Sequence, residues 1–197
     1  MKMLSLAAGA VLLAGIATPA IAGLSYNYVE LGAERATRDS AEAVDIEGEG
    51  YGFELLAATS KTGFFEAGFN RITFTDDDAE YTADAMHLGI GAFAPSGPQS
   101  HFVLSLGLLG VNTEATSPGI SESTRETGYY LRPGIRAMAS ENLELDVFMT
   151  YADIDDAIQK TITANALYHL TNNTSLSLGY SSAEDVEGYG LGLRFAF

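Results

Sequence analysis

The C-terminal residues carry the pattern that most constrains the fold. Over Gly192–Phe197, the apolar residues Leu193, Phe195 and Phe197 alternate with small or charged residues. A period of two places the apolar side chains on one face of a β-strand. An unpaired strand of this kind is an aggregation-prone edge. The pattern therefore favours a strand that pairs with the first strand of the same chain and so closes a barrel.

The N-terminus has the parts of a secretory signal peptide. A positive start precedes an apolar run over 3–17, and Ala20 and Ala22 form an A-x-A cleavage pattern. We expect a signal peptide over 1–22 and a single domain over 23–197. An uncleaved anchor is the alternative, but the apolar run is short for a spanning helix. The chain has no cysteine, and export without disulfides is typical of a bacterial envelope protein.

The composition of the domain favours a membrane barrel over a soluble one. Only Lys61 and Lys160 follow the leader, whereas soluble β-proteins place many lysines on exposed faces and edges. The longest nearly apolar run, 102–111, is too short for a membrane-spanning helix. A soluble barrel or sandwich with its apolar face inward explains the alternation equally well. It explains the glycine-rich opposite face and the scarcity of lysine poorly.

Two motifs resemble those of Gram-negative outer-membrane β-barrel proteins. Leu24–Gly32, with Tyr-x-Tyr-Val-Glu at its centre, resembles the first strand of small proteobacterial members, and the terminal Phe197 resembles the signal that the barrel-assembly machinery recognises. The resemblance implies an all-β, closed antiparallel transmembrane barrel in the bacterial outer membrane. It implies an assembly signal at Gly192, Phe195 and Phe197. Its implied partners are the barrel-assembly machinery during biogenesis, outer-membrane lipid and lipopolysaccharide.

The alternation predicts about ten strands, with eight as the alternative. The predicted spans are 24–34, 48–59, 64–75, 81–93, 102–113, 127–138, 143–152, 158–170, 174–181 and 188–197. Pro133 lies inside one of them, where we expect a bulge or weak pairing because proline lacks the ladder donor.

The connections alternate between short turns and longer acidic loops, as in outer-membrane barrels. The acidic loops hold seventeen Asp or Glu against three Arg, so we expect them outside the cell and both termini in the periplasm. The predicted loops are 35–47, 76–80, 114–126, 153–157 and 182–187.

The polar strand faces predict a network of charges in the lumen. A charge inside a narrow barrel must be paired or hydrated, and each arginine can neutralise carboxylates through several donors. A salt-bridged core that fills the lumen is the first interpretation, and the lining of a narrow water path is the alternative. The predicted network comprises Glu30, Glu54, Glu66, Arg132, Arg136, Glu144, Asp146 and Arg194.

Other functions have weaker support in the sequence. The net charge of −16 argues against nucleic-acid binding, which needs a basic surface. No G-x-S-x-G motif occurs. The histidines also favour no catalytic site: His87 lies within a strand, while His101 and His169 lie at the turn end. Asp76–Asp78 with Glu80 could hold Ca²⁺, but a solvated acidic loop is the commoner arrangement, so we expect no metal site and no cofactor.

The sequence therefore predicts a monomeric, non-enzymatic barrel with a structural or cell-surface interaction role. A narrow passive channel that favours cations is the alternative function. A membrane-embedded hydrolase is the third.

Overall fold

The computed structural model describes residues 19–20, 23–38, 46–76, 79–155 and 157–197. The predicted signal peptide therefore lies almost entirely outside the described residues. Two short strands, β1 (Pro19–Ala20) and β2 (Gly23–Leu24), pair with each other ahead of the barrel. The barrel strands are β3 (Tyr28–Arg38), β4 (Ile46–Ala58), β5 (Gly63–Asp76), β6 (Ala79–Gly97), β7 (Ser100–Ser117), β8 (Ile120–Ser140), β9 (Leu143–Ile154), β10 (Ala157–His169), β11 (Thr174–Ala183) and β12 (Val186–Ala196).

These ten strands form a closed antiparallel barrel, which confirms the predicted fold class and strand number. Each strand pairs with the next in the chain, and β12 closes onto β3. The closing pairs run from Val186↔Arg38 to Ala196↔Tyr28 without interruption. These pairs occupy the edges that β3 and β12 would otherwise leave free. A barrel in lipid requires such closure, because no water is present to bond an open edge. The described residues contain no helix with the length and apolar character needed to cross a membrane.

Some strand limits differ from the prediction. β3 begins at Tyr28 instead of residue 24, because Tyr26 is buried against aromatic rings at the end of the barrel. The prediction of a loop over 114–126 is wrong. β7 continues to Ser117 and β8 begins at Ile120, so the connection is a two-residue turn. The Ser, Thr and Glu residues of this segment are polar on both faces of the strand, so their pattern predicts a loop although the backbone is extended.

The two faces of the barrel wall have opposite character. Along β9 and β12, exposed and buried residues alternate at every position except the terminal residues Leu143 and Ala196, which are of intermediate exposure. The exposed positions in the middle of the strands are mainly apolar, as Ile90 (62%) and Leu191 (61%) illustrate, whereas nine charged strand residues occupy buried positions. A soluble barrel would have the reverse arrangement. The outward apolar face is therefore the lipid-facing surface that the sequence predicted.

Pro133 interrupts the pairing of β8 with β9 without shifting it. The pairs Leu131↔Tyr151 and Gly134↔Phe148 keep one register, but Arg132 and Pro133 have no partner on β9. The expected weak pairing is present at this position, and no bulge accompanies it. Irregularities in register occur elsewhere, between Met138 and Ser140 and between Pro95 and Gly97.

Phenylalanine rings explain part of the glycine-rich inner face. Each ring lies over a glycine directly opposite it on the neighbouring strand, and a β-carbon on that glycine would overlap the ring. Such pairing covers the exposed glycine backbone with an apolar side chain. The pairs are Phe64–Gly91, Phe74–Gly48 and Phe148–Gly134.

Replacing one of these glycines should lower the stability of the barrel. In Gly91→Ala the added methyl group meets the buried ring of Phe64, and overpacking of this kind costs about 1–3 kcal/mol. Gly110→Ala is the control, because nothing lies within 4 Å of its added carbon. Urea titration of both variants in detergent checks the difference. Equal midpoints for the two variants would contradict this account of the inner face.

Candidate functional site

The structure places all eight residues of the predicted charge network inside the barrel. Each is less than a tenth exposed, and Glu66, Glu144 and Arg194 have no exposed surface. They lie there because they occupy the inward, alternate positions of their strands. They divide into three groups, and each group contains one arginine.

The first group crosses the lumen. Arg132 on β8 places Nη2 2.6 Å from Glu66 Oε2 on β5 and 3.4 Å from Glu54 Oε1 on β4. The Tyr130 hydroxyl donates to Glu66, and His87 Nε2 lies 3.2 Å from Glu54 Oε2. Since β4 and β5 are four and three places from β8 around the ring of ten strands, these bonds join strands that are not neighbours in the wall.

The second group lies at the seam where the barrel closes. Arg194 on β12 donates from Nη2 to Glu30 Oε2 on β3 at 2.7 Å and from Nε at 3.1 Å. Ser177 donates to the other oxygen of Glu30 at 2.8 Å. The guanidinium of Arg194 stands 3.7 Å from the centre of the Tyr28 ring, a cation–π contact. The pairing of Arg194 with Glu30 in the strand register brings these groups together.

The third group lies near the turn end. Arg136 places Nη2 2.7 Å from Glu144 Oε1 on the adjacent strand β9. His169 Nε2 is 3.9 Å from the second oxygen of Glu144. Asp146, the remaining carboxylate of the predicted network, accepts a hydrogen bond of 2.6 Å from Asn165.

The interior is more acidic than the predicted network. Glu34 is also buried and accepts a hydrogen bond of 2.6 Å from Asn70. The described interior thus holds six carboxylates and three arginines. The sequence offered a signal for Glu34, since it stands four residues after Glu30 on the same strand face.

An aromatic cluster fills the turn end of the barrel, and the sequence reading missed it. Tyr26 is 4% exposed and stacks on Phe93 with ring centres 3.9 Å apart. Its hydroxyl lies 3.1 Å from His101 Nδ1, and the Arg136 guanidinium stands 4.5 Å from its ring centre. Phe64 completes the stack at 5.2 Å. Tyr26 therefore connects the N-terminal segment to the charged interior.

The remaining predicted residues lie on different faces. Gly192 is inward, where a β-carbon would meet Glu30 and Ser177, whereas Phe195 and Phe197 are exposed on the outer face. Among the described residues, no group of three or more His, Asp or Glu side chains is placed to hold a metal ion. Residues 77–78 of the acidic Asp76–Glu80 segment lie outside the described residues.

Comparison with known proteins identifies the family of this architecture. The model of the outer membrane protein beta-barrel domain matches residues 8–181. No curated protein matches the sequence.

Solved structures share the fold at low sequence identity. Neisserial surface protein A is 14% identical with a TM-score of 0.51, covering 88% of this chain and 98% of its own. The outer membrane protease OmpT from Escherichia coli is 10% identical with a TM-score of 0.54, covering 88% and 98%. Ail of Yersinia pestis, in complex with sucrose octasulfate, is 14% identical with a TM-score of 0.48, covering 88% and 100%.

Removal of the cation that crosses the lumen should destabilise the protein. Arg132→Ala leaves Glu54 and Glu66 buried without their arginine, and breaking a buried pair in this way costs about 3–5 kcal/mol. Arg35→Ala is the matched control, because the ion pair of Arg35 with Glu49 is exposed, so its midpoint should hardly move. Denaturant titration in detergent compares the two variants. A gain in stability for Arg132→Ala would refute the role of this pair.

Proposed function

Because the chain belongs to the outer membrane protein beta-barrel domain family, we propose that it is an integral outer-membrane barrel with a largely side-chain-filled lumen, acidic surface loops and a structural or cell-surface interaction role. The family supplies the bacterial outer membrane as the location. The closed lumen, the loops and the role are our proposal.

The observation that carries the proposal is the contact of Arg132 with Glu54 and Glu66 across the lumen. A continuous water path would have to pass this cluster. A second obstruction lies below it, where Tyr26 stacks on Phe93 and contacts His101. Barrels near this strand number are narrow enough for side chains to occupy much of the interior.

The acidic ends of the strands support an orientation with the loops outside. Asp153, Asp155, Glu184 and Asp185 lie at one end of the barrel, the end at which β3 and β5 finish and β4 and β6 begin. β3 begins and β12 ends at the opposite end of the barrel. We therefore propose that both chain termini lie in the periplasm. Lipid and lipopolysaccharide would surround a monomeric barrel, and the barrel-assembly machinery would insert it.

A non-enzymatic role is supported by the histidines. His87, His101 and His169 all occupy inward positions and contact other interior groups. None of these three is placed to act as a base on a substrate at the outer surface. The likeness to OmpT concerns the fold and carries no activity to this chain.

A narrow cation-favouring channel is the second candidate. The observation that favours it is the excess of interior carboxylates over arginines, since a negative lining attracts cations. The two candidates differ in whether the interior conducts.

Planar-bilayer recording separates the candidates. We expect no resolvable single-channel steps from the native protein, because Arg132 and Tyr26 obstruct the lumen. The double variant Tyr26→Ala, Arg132→Ala should show steps, and Arg35→Ala should remain silent. Heat-modifiable migration on gels verifies that each variant is folded. Cation-selective steps from the native protein would replace our proposal with the channel.

Cysteine labelling tests the orientation. Ala79 and Gly97 are exposed at opposite ends of β6, and the native chain has no cysteine. On intact cells, an impermeant maleimide should label Ala79→Cys and leave Gly97→Cys unlabelled until the outer membrane is opened. The reverse pattern would show that the acidic end faces the periplasm.

A further inference from the structure

The outer part of β8 has a strand on one side only. Residues from Ile120 onward pair with β7, beginning at Ser117↔Ile120. On the other side, pairing with β9 begins only at Gly128↔Ile154. Within the described residues, the segment 120–127 therefore has a free edge on the β9 side. We name this segment the β8 edge.

Neighbouring strands support the β8 edge along most of its length. β7 pairs with β6 as far as Thr116↔Glu80, and β6 pairs with β5 as far as Ala79↔Asp76. The β8 edge is thus the last strand of a small sheet that extends beyond the apolar band. Pro118 and Gly119, whose φ is 82°, connect β7 to β8 as expected for a type II turn. The backbone of the β8 edge is therefore already extended before a partner strand binds. A loop would have to become ordered first.

The hairpin register identifies the backbone groups that face outward from the free edge. A two-residue turn makes Ser117 and Ile120 a hydrogen-bonded pair, and such pairs alternate along an antiparallel ladder. Ser121, Ser123, Arg125 and Thr127 consequently direct their N–H and C=O groups away from β7. The edge holds no proline, no lysine and no bulge against β7, which are the features that usually block strand addition.

The charges around the β8 edge indicate the chemistry of what binds it. Arg125 lies on one face of the edge, whereas Glu122 and Glu126 lie four residues apart on the other, which continues the inner face of the barrel. Among the described residues, neither belongs to an ion pair. Asp153 and Asp155, at the adjacent end of β9, add negative charge beside the free side. An incoming strand with cationic side chains four residues apart would place them opposite the two glutamates.

We infer that the β8 edge binds an extended, basic segment of a partner protein by strand addition. Backbone hydrogen bonds to the four outward-directed residues would supply the binding, and Glu122 and Glu126 would select the charge. This inference deepens the proposed cell-surface interaction role and rests on it for biological access to the edge. It names the face, the backbone groups and the partner chemistry.

Peptide binding to the purified full chain in nanodiscs tests the inference directly. The probe is an eight-residue fluorescent threonine peptide with lysines at its second and sixth positions, and glutamates replace the lysines in the control peptide. We expect the lysine peptide to bind about tenfold more tightly at low salt, since two attractive contacts replace two repulsive ones. The preference should diminish as salt rises. Equal affinity for the two peptides would overturn the inference.

Variants on the edge separate backbone pairing from simple charge attraction. Ser123→Pro removes one outward-directed N–H while leaving the ladder to β7 in place, so it should abolish binding. Ser123→Ala keeps that N–H and should bind like the native chain. The double variant Glu122→Gln, Glu126→Gln should lose the preference for the lysine peptide. Undiminished binding by folded Ser123→Pro, or self-association of the native chain through this edge, would overturn the inference.

These measurements remain distinct from those on the proposed function. Nanodiscs expose both ends of the barrel, so peptide binding does not depend on orientation in the cell or on conductance. If the bilayer stays silent and the peptide fails, the β8 edge inference alone is wrong. If the peptide binds and labelling places the acidic end in the periplasm, the site stands and its cell-surface role is wrong.

Discussion

The pairing of β12 with β3 is the contact on which the rest of the structure depends. Without it, two strands would present unpaired N–H and C=O groups to lipid, where water cannot satisfy them. The register of this seam also decides which residues face inward, since a slip of one residue would reverse every side chain on the strand. Arg194 and Glu30 lie opposite each other in that register and bond within the lumen. A slip would move Arg194 into the hydrocarbon.

The buried charges are better suited to specifying one strand register than to adding net stability. Transfer of an ion pair from water into a barrel interior has a large desolvation cost that mutual attraction offsets only when the geometry is good. Arginine suits this interior, because two nitrogens of its rigid guanidinium group can donate to one carboxylate. Nε and Nη2 of Arg194 both donate to Oε2 of Glu30 in this way. Cation–π contacts with Tyr28 and Tyr26 give the guanidinium groups further partners. We regard the interior pairs as a device that makes alternative registers unfavourable.

The sequence predicted what a period of two can encode and missed what depends on contacts across the lumen. Strand number and face assignment follow from alternation, which is local. The partners of Arg132 do not follow from it, because strands three and four places apart meet only when the barrel closes. Tyr26 follows the alternation, which predicts a position within the first strand. Its burial beside Phe93 depends on the shape of the barrel end, which the alternation does not encode. The hairpin around Pro118 was missed because a polar strand outside the membrane has no apolar face to reveal it.

The bond from Arg132 to Glu54 also bears on the mechanics of the wall. A ring of strands held by ladder bonds can flatten into an oval without breaking those bonds, because flattening bends the ring and stretches it little. The bond between Arg132 on β8 and Glu54 on β4 opposes separation of these two strands. The cross-section therefore resists elongation along this line. Part of any force that elongates the barrel in this direction would act on the guanidinium group of Arg132.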